Sequence, residues 1–402
     1  MNNTTLNMVY LDDGKAIIKQ KGNGGGEGES TNPTGIVNDV TFYDYDGAVL
    51  YGFSKADFLA IGNMPALPSH DGLICQGWNW DLAGAKTHVE QYGSLNIGAS
   101  YITDDGATRL HIVITAKGRQ EFSLYFEQSV ANGVTIDWGD GSGAQTLAGT
   151  GIVTIKHSYT AIGNFTISLM PTDGCTLRLG VNTNTFNLIN NTGNTGNNVY
   201  FTMLKSVNIG KNVTSIGVQT FYNCYNLASI TIPNSVTEIG LNAFYNCYNL
   251  ASITIPNGVT EIGGSAFDYC NTLRSACIPQ SVSSMQNYLF ADCKSLPTID
   301  IPNGVTEIKP SVFSNCFSLV RIVIPASVAT VQTFAFNYCY GVKVYDFSKH
   351  TSVPTLAGTS AFNGIPSDCV IIVPDALFDE WKAATNWSTY ASKMVKASEY
   401  IQ

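Results

Sequence analysis

The chain has 402 residues, too long for one ordinary domain, and its 44% apolar content is enough for packed cores. Charged residues make up only 13%, about half the usual share, which excludes a charge-driven disordered chain and a coiled coil. Lys plus Arg is 21 against Asp plus Glu at 30, and no dense basic run occurs, so no nucleic-acid partner is expected.

Residues 1–20 predict a short hairpin, with Asp12-Asp13-Gly14-Lys15 as its turn. The segment lacks a basic start followed by a continuous apolar run, so it does not read as a secretory signal, and no stretch of the chain reaches the length of a membrane helix. Residues 21–36 hold Gly22, Gly24, Gly25, Gly26, Gly28 and Gly35 and predict a flexible linker; the spacing fits neither phosphate-binding glycine motif. Residues 37–106 predict a small α/β domain. Thr41-Phe42-Tyr43 reads as a strand, Ser54 caps a helix through Leu59, and Asp81 to Tyr92 reads as a second helix.

Residues 107–180 carry short apolar runs, some alternating with polar residues: Leu110–Ile114, Phe122–Phe126 and Val134–Trp138. They predict an antiparallel β-sandwich. Asp137 and Asp140 flank Gly139 and Gly141 in this stretch. Such carboxylates either cap turn amides or ligate calcium, and the first reading is the commoner one for an Asp beside Gly.

Residues 181–374 are dominated by a repeat. Phe221, Phe244, Phe267, Phe290, Phe313 and Phe336 lie 23 residues apart, and Cys224, Cys247, Cys270, Cys293, Cys316 and Cys339 each follow three residues later. The stretches beginning at Phe221 and Phe244 are identical over twenty residues except for Ser235 against Gly258. The consensus runs Ala-Phe-x-x-Cys-x-x-Leu-x-x-Ile-x-Ile-Pro-x-x-Val-x-x-Ile-Gly. A unit this short cannot close a core, so units must stack into a solenoid. Phe, Cys and Leu spaced by three fit one face of a short helical turn, and Ile-x-Ile fits a strand ended by Pro. Residues 375–402 predict a C-terminal capping helix, with Leu377, Phe378, Trp381, Trp387, Tyr390 and Met394 on its apolar face.

Six of the ten cysteines fall in one column and none has CxxC spacing, so they read as small buried apolar residues rather than as zinc ligands or disulfides. The five histidines, His70, His88, His111, His157 and His350, form no metal or nucleophile motif, and the repeated Glu238, Glu261 and Glu307 read as an exposed polar column. No enzyme, no cofactor and no metal is therefore expected. The candidate ligand-binding residues are Tyr222, Tyr225, Tyr245, Tyr248, Tyr269, Phe317, Tyr338 and Tyr340, which flank the ladder Phe and Cys positions and are expected to line one edge of the stack as an aromatic strip mixed with Asn223, Asn226, Asn246 and Asn249. Aromatic rings beside adaptable amides suit a glycan or a protein epitope, while the plainer reading has the rings cover neighbouring coils.

The Ala-Phe-x-x-Cys-x-x-Leu and Ile-x-Ile-Pro-x-x-Val-x-x-Ile columns resemble the BspA-type leucine-rich repeat family over about residues 200–374. Asp137-Trp138-Gly139-Asp140-Gly141, His157-Ser158-Tyr159 and Gly163-Asn164-Phe165-Thr166-Ile167 resemble the polycystic-kidney-disease (PKD) type domain, although Ile136 stands where that family has Trp and Trp138 where it has Phe. Thr41–Gly47, His70-Asp71-Gly72-Leu73, Gln76-Gly77-Trp78-Asn79-Trp80 and Leu95–Gly98 resemble tail-type proteins of phages and prophages of gut Firmicutes. Together these resemblances imply a multidomain chain: a small α/β N-terminal unit, an immunoglobulin-like sandwich as a spacer or binding module, and a leucine-rich repeat solenoid used for adhesion. The leading expectation is a tail-associated virion protein that recognises a host cell-surface protein or glycan and attaches to other particle or surface proteins through its N-terminal part. A bacterial cell-surface adhesin and a purely structural spacer are the alternatives.

Overall fold

The computed structural model describes residues 7–10, 16–19 and 38–400, apart from 45–47, 72, 104, 116–120, 181–187 and 191–202. The chain divides into two compact units, residues 1–104 and 105–402.

In the first unit, β1 (Asn7–Tyr10) and β2 (Ala16–Lys19) form the expected antiparallel hairpin; its turn and the 21–36 linker lie outside the described residues. The remainder is a four-stranded sheet built from β3 (Val40–Tyr43), β4 (Val49–Phe53), β5 (Leu73–Trp78) and β6 (Leu95–Thr103) in the order β4-β3-β6-β5. The helices α1 (Lys55–Ala60) and α2 (Leu82–Tyr92) each begin at a side-chain cap, with Ser54 Oγ accepting from the Asp57 amide and Asp81 Oδ1 from the Gly84 amide. Phe58 of α1 and Ala85 and Val89 of α2 bury against Val40, Phe42 and Ile97 of the sheet.

The second unit starts with the sandwich. β7 (Thr108–Ile114), β8 (Glu121–Gln128), β9 (Val134–Asp137), β10 (Gln145–Leu147), β11 (Gly151–Ser158), β12 (Gly163–Pro171), β13 (Leu177–Leu179) and β14 (Ile189–Asn190) form two sheets. One runs β10-β9-β12-β7 and the other β11-β8-β13, with β14 also on β8. Both sheets continue into the solenoid. β15 (Leu204–Asn208) pairs antiparallel with β7, and β16 (Val213–Ile216) pairs parallel with β13. The sequence places a domain boundary near residue 180; the structure instead carries one hydrophobic core from Leu110 to Met394. The reason is hydrogen bonding. The first coil presents two strand edges on its N-terminal side, and open edges invite foreign strands, so β7 and β13 occupy them.

Later coils add rungs to these faces in separate runs, with interruptions. Ser229–Thr231 lies parallel on β15, and Glu238–Ile239 on β16, followed by Glu261–Ile262. Further on, Arg321–Val323, Val344–Asp346, Val370–Val373 and Met394–Lys396 form a second parallel run. Ile230 and Ile232, like Ile253 and Ile255, point inward from alternate positions and are buried.

The third side of each coil is where sequence reasoning needs correction. The Phe-x-x-Cys-x-x-Leu stretch is not a helical turn but a run of tight turns, held open by two left-handed residues per coil. They sit two before and two after the ladder Phe: Gln219 and Asn223, Asn242 and Asn246, Ser265 and Tyr269, and so on to Phe334 and Tyr338. A left-handed residue breaks an α-helix, yet here it turns the backbone so that the ladder Phe amide points at the next coil. Phe221 N donates to Ala243 O at 2.8 Å, and every later ladder Phe repeats the bond, ending with Phe336 N to Ala361 O at 2.9 Å. The rings stack in step, 5.2 Å between Phe221 and Phe244 and 5.5 Å between Phe313 and Phe336. Phe362, 26 residues after Phe336, still stacks on it at 5.4 Å.

At the C-terminus, the expected single helix over 375–402 is also corrected. The segment breaks into a 3-10 turn, the short helix α3 (Phe378–Ala383), a second 3-10 segment (Trp387–Lys393), the strand Met394–Lys396 and a last 3-10 turn. Ala384 in an extended conformation ends the α-helical run, Asn386 at positive φ opens the second 3-10 segment, and Met394–Lys396 then supplies the final rung on Val370–Val373. Trp381, Trp387, Tyr390 and Met394 are buried over the end of the core.

The junction of sandwich and solenoid is tight at Gly210, where an added Cβ would collide with the Gly106 carbonyl. Gly210→Ala is expected to cost about 1–3 kcal/mol. Because the core is continuous, thermal unfolding of the variant should lower one shared transition for sandwich and solenoid rather than release either alone.

Candidate binding surface

The repeat acts as its own control for which side chains the fold requires. Counting from the ladder Phe, the position one residue on holds Tyr222, Tyr245, Asp268, Ala291, Ser314 and Asn337; two on, Asn223, Asn246, Tyr269, Asp292, Asn315 and Tyr338; four on, Tyr225, Tyr248, Asn271, Lys294, Phe317 and Tyr340. Phe, Cys and Leu or Val never vary between them. The turns therefore tolerate small, amide, charged or aromatic residues at the variable positions, and aromatic rings there are not a demand of the backbone.

All eight aromatic residues expected from sequence lie in these turns, but they make two patches instead of one strip. In the first, Tyr222 stacks on Tyr245 at 4.9 Å, with 7° between the ring planes, and Tyr225 stacks on Tyr248 at 5.2 Å and 15°. Tyr269 meets Tyr245 edge-to-face at 5.6 Å. These rings are half-buried, and the faces turned toward each other are closed to a ligand. Burial, with the charge of Asp268 beside it, pushes the Tyr245 phenol up to about 12. Amide ladders run alongside: Asn246 Nδ2 donates to Asn223 Oδ1 at 2.8 Å and Asn249 Nδ2 to Asn226 Oδ1 at 3.0 Å.

The second patch lies three coils on. Phe317 is 38% exposed, Tyr338 44% and Tyr340 55%. Phe317 and Tyr340 pack at 5.5 Å, Tyr338 and Tyr340 at 5.7 Å, and the Lys294 ammonium sits 5.8 Å from the centre of the Phe317 ring. Val320, half exposed, belongs to the same two coils. Between the patches the columns hold Asp268, Asn271, Ala291, Asp292 and Lys294, which interrupt the strip.

Sequence reasoning missed two exposed rings, Tyr288 and Phe334, and the contact of Lys294. Tyr288 and Phe334 occupy the left-handed position two before the ladder Phe, a conformation unusual for bulky residues. Their column would have shown them had the repeat been read on both sides of the Phe.

The other sequence candidates resolve into structural roles. Asp137 Oδ1 accepts from the Gly139 amide at 2.9 Å, and Asp140 Oδ1 from the Ser142 amide at 3.1 Å. Asp140 Oδ2 pairs with His157 Nε2 at 2.7 Å, His157 stacks on Trp138 at 4.6 Å, and the Tyr159 hydroxyl donates to Trp138 O at 2.8 Å. The two carboxylates considered for calcium are thus tied to amides and an imidazole; among the described residues no cluster of three metal-ligating side chains occurs. Of the repeated carboxylates, Glu238 lies 3.9 Å from Arg178 of β13.

The cysteine column shows why the repeat uses this residue. Each thiol from Cys247 to Cys339 reaches the carbonyl of the ladder Phe one coil back, at 3.1–3.4 Å. A thiol is apolar enough for the core and still donates weakly to that carbonyl. Burial pushes these thiols well above their ordinary range, so they stay protonated. All ten cysteines are free.

Residues 214–343 and 261–372 match the family model of the BspA type leucine rich repeat region, in six copies. This stretch is a leucine-rich repeat region of that type. Solved structures similar to the chain include a leucine rich cell surface protein from Faecalibacterium prausnitzii, 26% identical, covering 46% of this chain and 64% of that one, with a TM-score of 0.33. A leucine-rich repeat protein from Bacteroides ovatus is 23% identical over 48% of this chain and 60% of that one, TM-score 0.34. The leucine rich repeat protein of T. pallidum is 25% identical over 44% and 80%, TM-score 0.32. The chain thus spans less than two thirds of the length of the first two. No curated protein matches it. Among the described residues no helix is long and apolar enough to cross a membrane.

Native protein treated with iodoacetamide at pH 8 is expected to be modified at Cys75, the one exposed thiol, and at all ten cysteines after unfolding. Peptide mass mapping checks this; rapid native labelling at Cys247, Cys270, Cys293 or Cys316 would contradict the packed column.

Proposed function

We propose that the chain is a non-enzymatic binding protein that holds a host cell-surface protein or glycan through the turn face of its solenoid. One observation carries the reading. Phe317, Tyr338 and Tyr340 stand in solvent at positions where other coils use Asn or Lys to make the same turn. Exposed rings cost solubility, the turn forms without them in other coils, and clustered aromatics beside a cation are what binding hot spots are made of. The Tyr222, Tyr225, Tyr245, Tyr248 and Tyr269 patch extends the same face and offers ring edges, hydroxyls and amides instead of ring faces.

In this reading the sandwich, whose Gly139-Asp140-Gly141, His157 and Tyr159 resemble the PKD-type motif, holds the solenoid rigidly because the two share sheets. The N-terminal unit makes the attachment to other particle or surface proteins. Two carriers follow from the sequence. A bacterial cell surface accords with the BspA-type repeat. A phage or prophage tail accords with the residue pattern of Thr41–Gly47 and Gln76–Trp80. Immunogold labelling of a lysing culture separates them: label on intact envelopes supports the adhesin, and label on particle tails supports the virion protein.

The Phe317→Ser, Tyr338→Ser, Tyr340→Ser triple variant is expected to bind target cells at least ~10-fold more weakly, about 1.4 kcal/mol, with only a small drop in melting temperature from loss of the exposed Phe317–Tyr340 contact. Replacing Tyr222, Tyr225, Tyr245 and Tyr248 by Ser is expected to weaken binding less and to lower stability, since those rings also stack on one another. Unchanged cell binding by both variants would leave the solenoid a structural spacer.

A further inference from the structure

The two aromatic patches are separated by a pair of buried acids. Asp268 is 6% exposed and Asp292 9%, although both lie in the turns, where most neighbours reach solvent. They occupy adjacent coils. Asp292 has partners suited to a carboxylate: Lys294 Nζ lies 3.4 Å from its Oδ1, and Asn315 Nδ2 donates to its Oδ2 at 3.0 Å. Asp268 does not have a full set. Ser265 and the Tyr269 amide serve it, but its Oδ1 is buried with no hydrogen-bond partner. An ionised carboxylate left in that state is costly, whereas a neutral acid is not.

The groups around Asp268 come from four coils. Tyr245 faces it from the coil before, Ser265, Tyr269 and Cys270 from its own turn, Asp292 and Cys293 from the coil after, with Lys294 engaged on Asp292, and the Cys316 thiol feels its charge from two coils on. Among the described residues the charge that acts on Asp268 is the like charge of Asp292. Burial first, and then Asp292, push the Asp268 carboxyl up to about 7.

The repeat shows that neither acid is needed to build the turn. Asn223, Asn246 and Asn315 fill the position of Asp292, with the same left-handed backbone, and Asn337 fills the position of Asp268. Carboxylates replace neutral residues here and in no other coil at these two positions.

We propose that Asp268 and Asp292 form a proton-operated latch under the binding face. With a proton on Asp268, the acid and the Asp292 carboxylate are compatible neighbours, and the turns carrying Tyr245, Tyr269 and Lys294 close on each other. With Asp268 ionised, two buried negative charges repel and those turns loosen, disturbing the Tyr245–Tyr269 contact at one patch and the Lys294–Phe317 contact at the other. The face is therefore ordered in mildly acidic surroundings and relaxed above neutrality. This regulation rests on the reading of the turn face as the binding surface.

The direction follows from linkage. The folded pKa of Asp268 lies above the unfolded value of about 3.9, so its stabilising contribution is complete below the unfolded value and is lost as pH rises through about 7. The test uses the full chain and no ligand. Carbon-13 NMR of the Asp carboxyls should show Asp268 titrating near neutrality, and Asp292→Asn should move that titration down by about one unit or more. The melting temperature of the wild type should fall between pH 5 and pH 8.5 by more than that of Asp268→Asn, which should be the more stable protein at pH 8.5. Amide exchange at Asn246, whose N–H donates to Asp268 O at 2.9 Å, should quicken over the same range beyond the intrinsic pH effect in the wild type only. An Asp268 titration in the ordinary carboxylate range, one that Asp292→Asn leaves in place, or an equal pH response in Asp268→Asn would overturn the latch. None of these outcomes touches the binding reading, which the Tyr and Phe variants test separately.

Discussion

A coil of 23 residues cannot satisfy its own backbone, and that constraint governs the rest of the second unit. Coils bond sideways to their neighbours on up to three sides: two faces carrying interrupted runs of short parallel strands and a third of stacked turns. On the third side the ladder Phe amide, its carbonyl and the following coil's thiol form one repeating network, with the rings stacked inside it. Sheets and turns are usually distinguished by which of them builds long-range order. Here the turns also propagate, because two left-handed residues per coil aim the backbone groups along the stack.

Such a stack has two open ends, and each is closed by a different means. At the start, β7 and β13 extend the strand faces, so the sandwich is the cap of the solenoid and shares its core. At the finish, Met394–Lys396 adds the last rung while Trp381 and Trp387 cover the core, the Trp387 indole donating to Pro354 O at 2.7 Å. Both caps belong to the core that runs from Leu110 to Met394.

Much of this was legible in the sequence because a repeat states each structural requirement several times. Six Phe and six Cys in register announce the stack, and Ile-x-Ile-Pro announces the inward strand. The antiparallel pairing of Asn7–Tyr10 with Ala16–Lys19, the capped helices at Ser54 and Asp81 and the sandwich strands also follow from local pattern. What could not be read were features set by partners far along the chain. The turns look helical because a spacing of three fits a helix face, and only the inter-coil bonds reveal the left-handed residues. The pairing of β7 with β15 joins segments about a hundred residues apart and has no local signal. The aromatic strip was found, but its division was not, because Asp268 and Asp292 read as surface charge until their burial is known.

The same repeat separates what holds the molecule together from what it displays. A position that is Phe, Cys or Ile in coil after coil is explained by the stack and needs no ligand. A position that is Asn in one coil, Asp in the next and Tyr in a third lies outside that requirement, and its side chains answer to something else. By this criterion the half-buried tyrosines of the first patch are intermediate, since Tyr222 and Tyr245 both vary along their column and stack on each other. Phe317, Tyr338 and Tyr340 are clearer, for each is replaced elsewhere by a polar residue and each remains exposed. Asp268 and Asp292 are the opposite case: replaceable residues that are buried at a cost the neighbouring coils avoid with Asn, Ser or Ala. Unexplained exposure of apolar rings and unexplained burial of acids thus mark the same few turns, and both depart from what stacking alone would select.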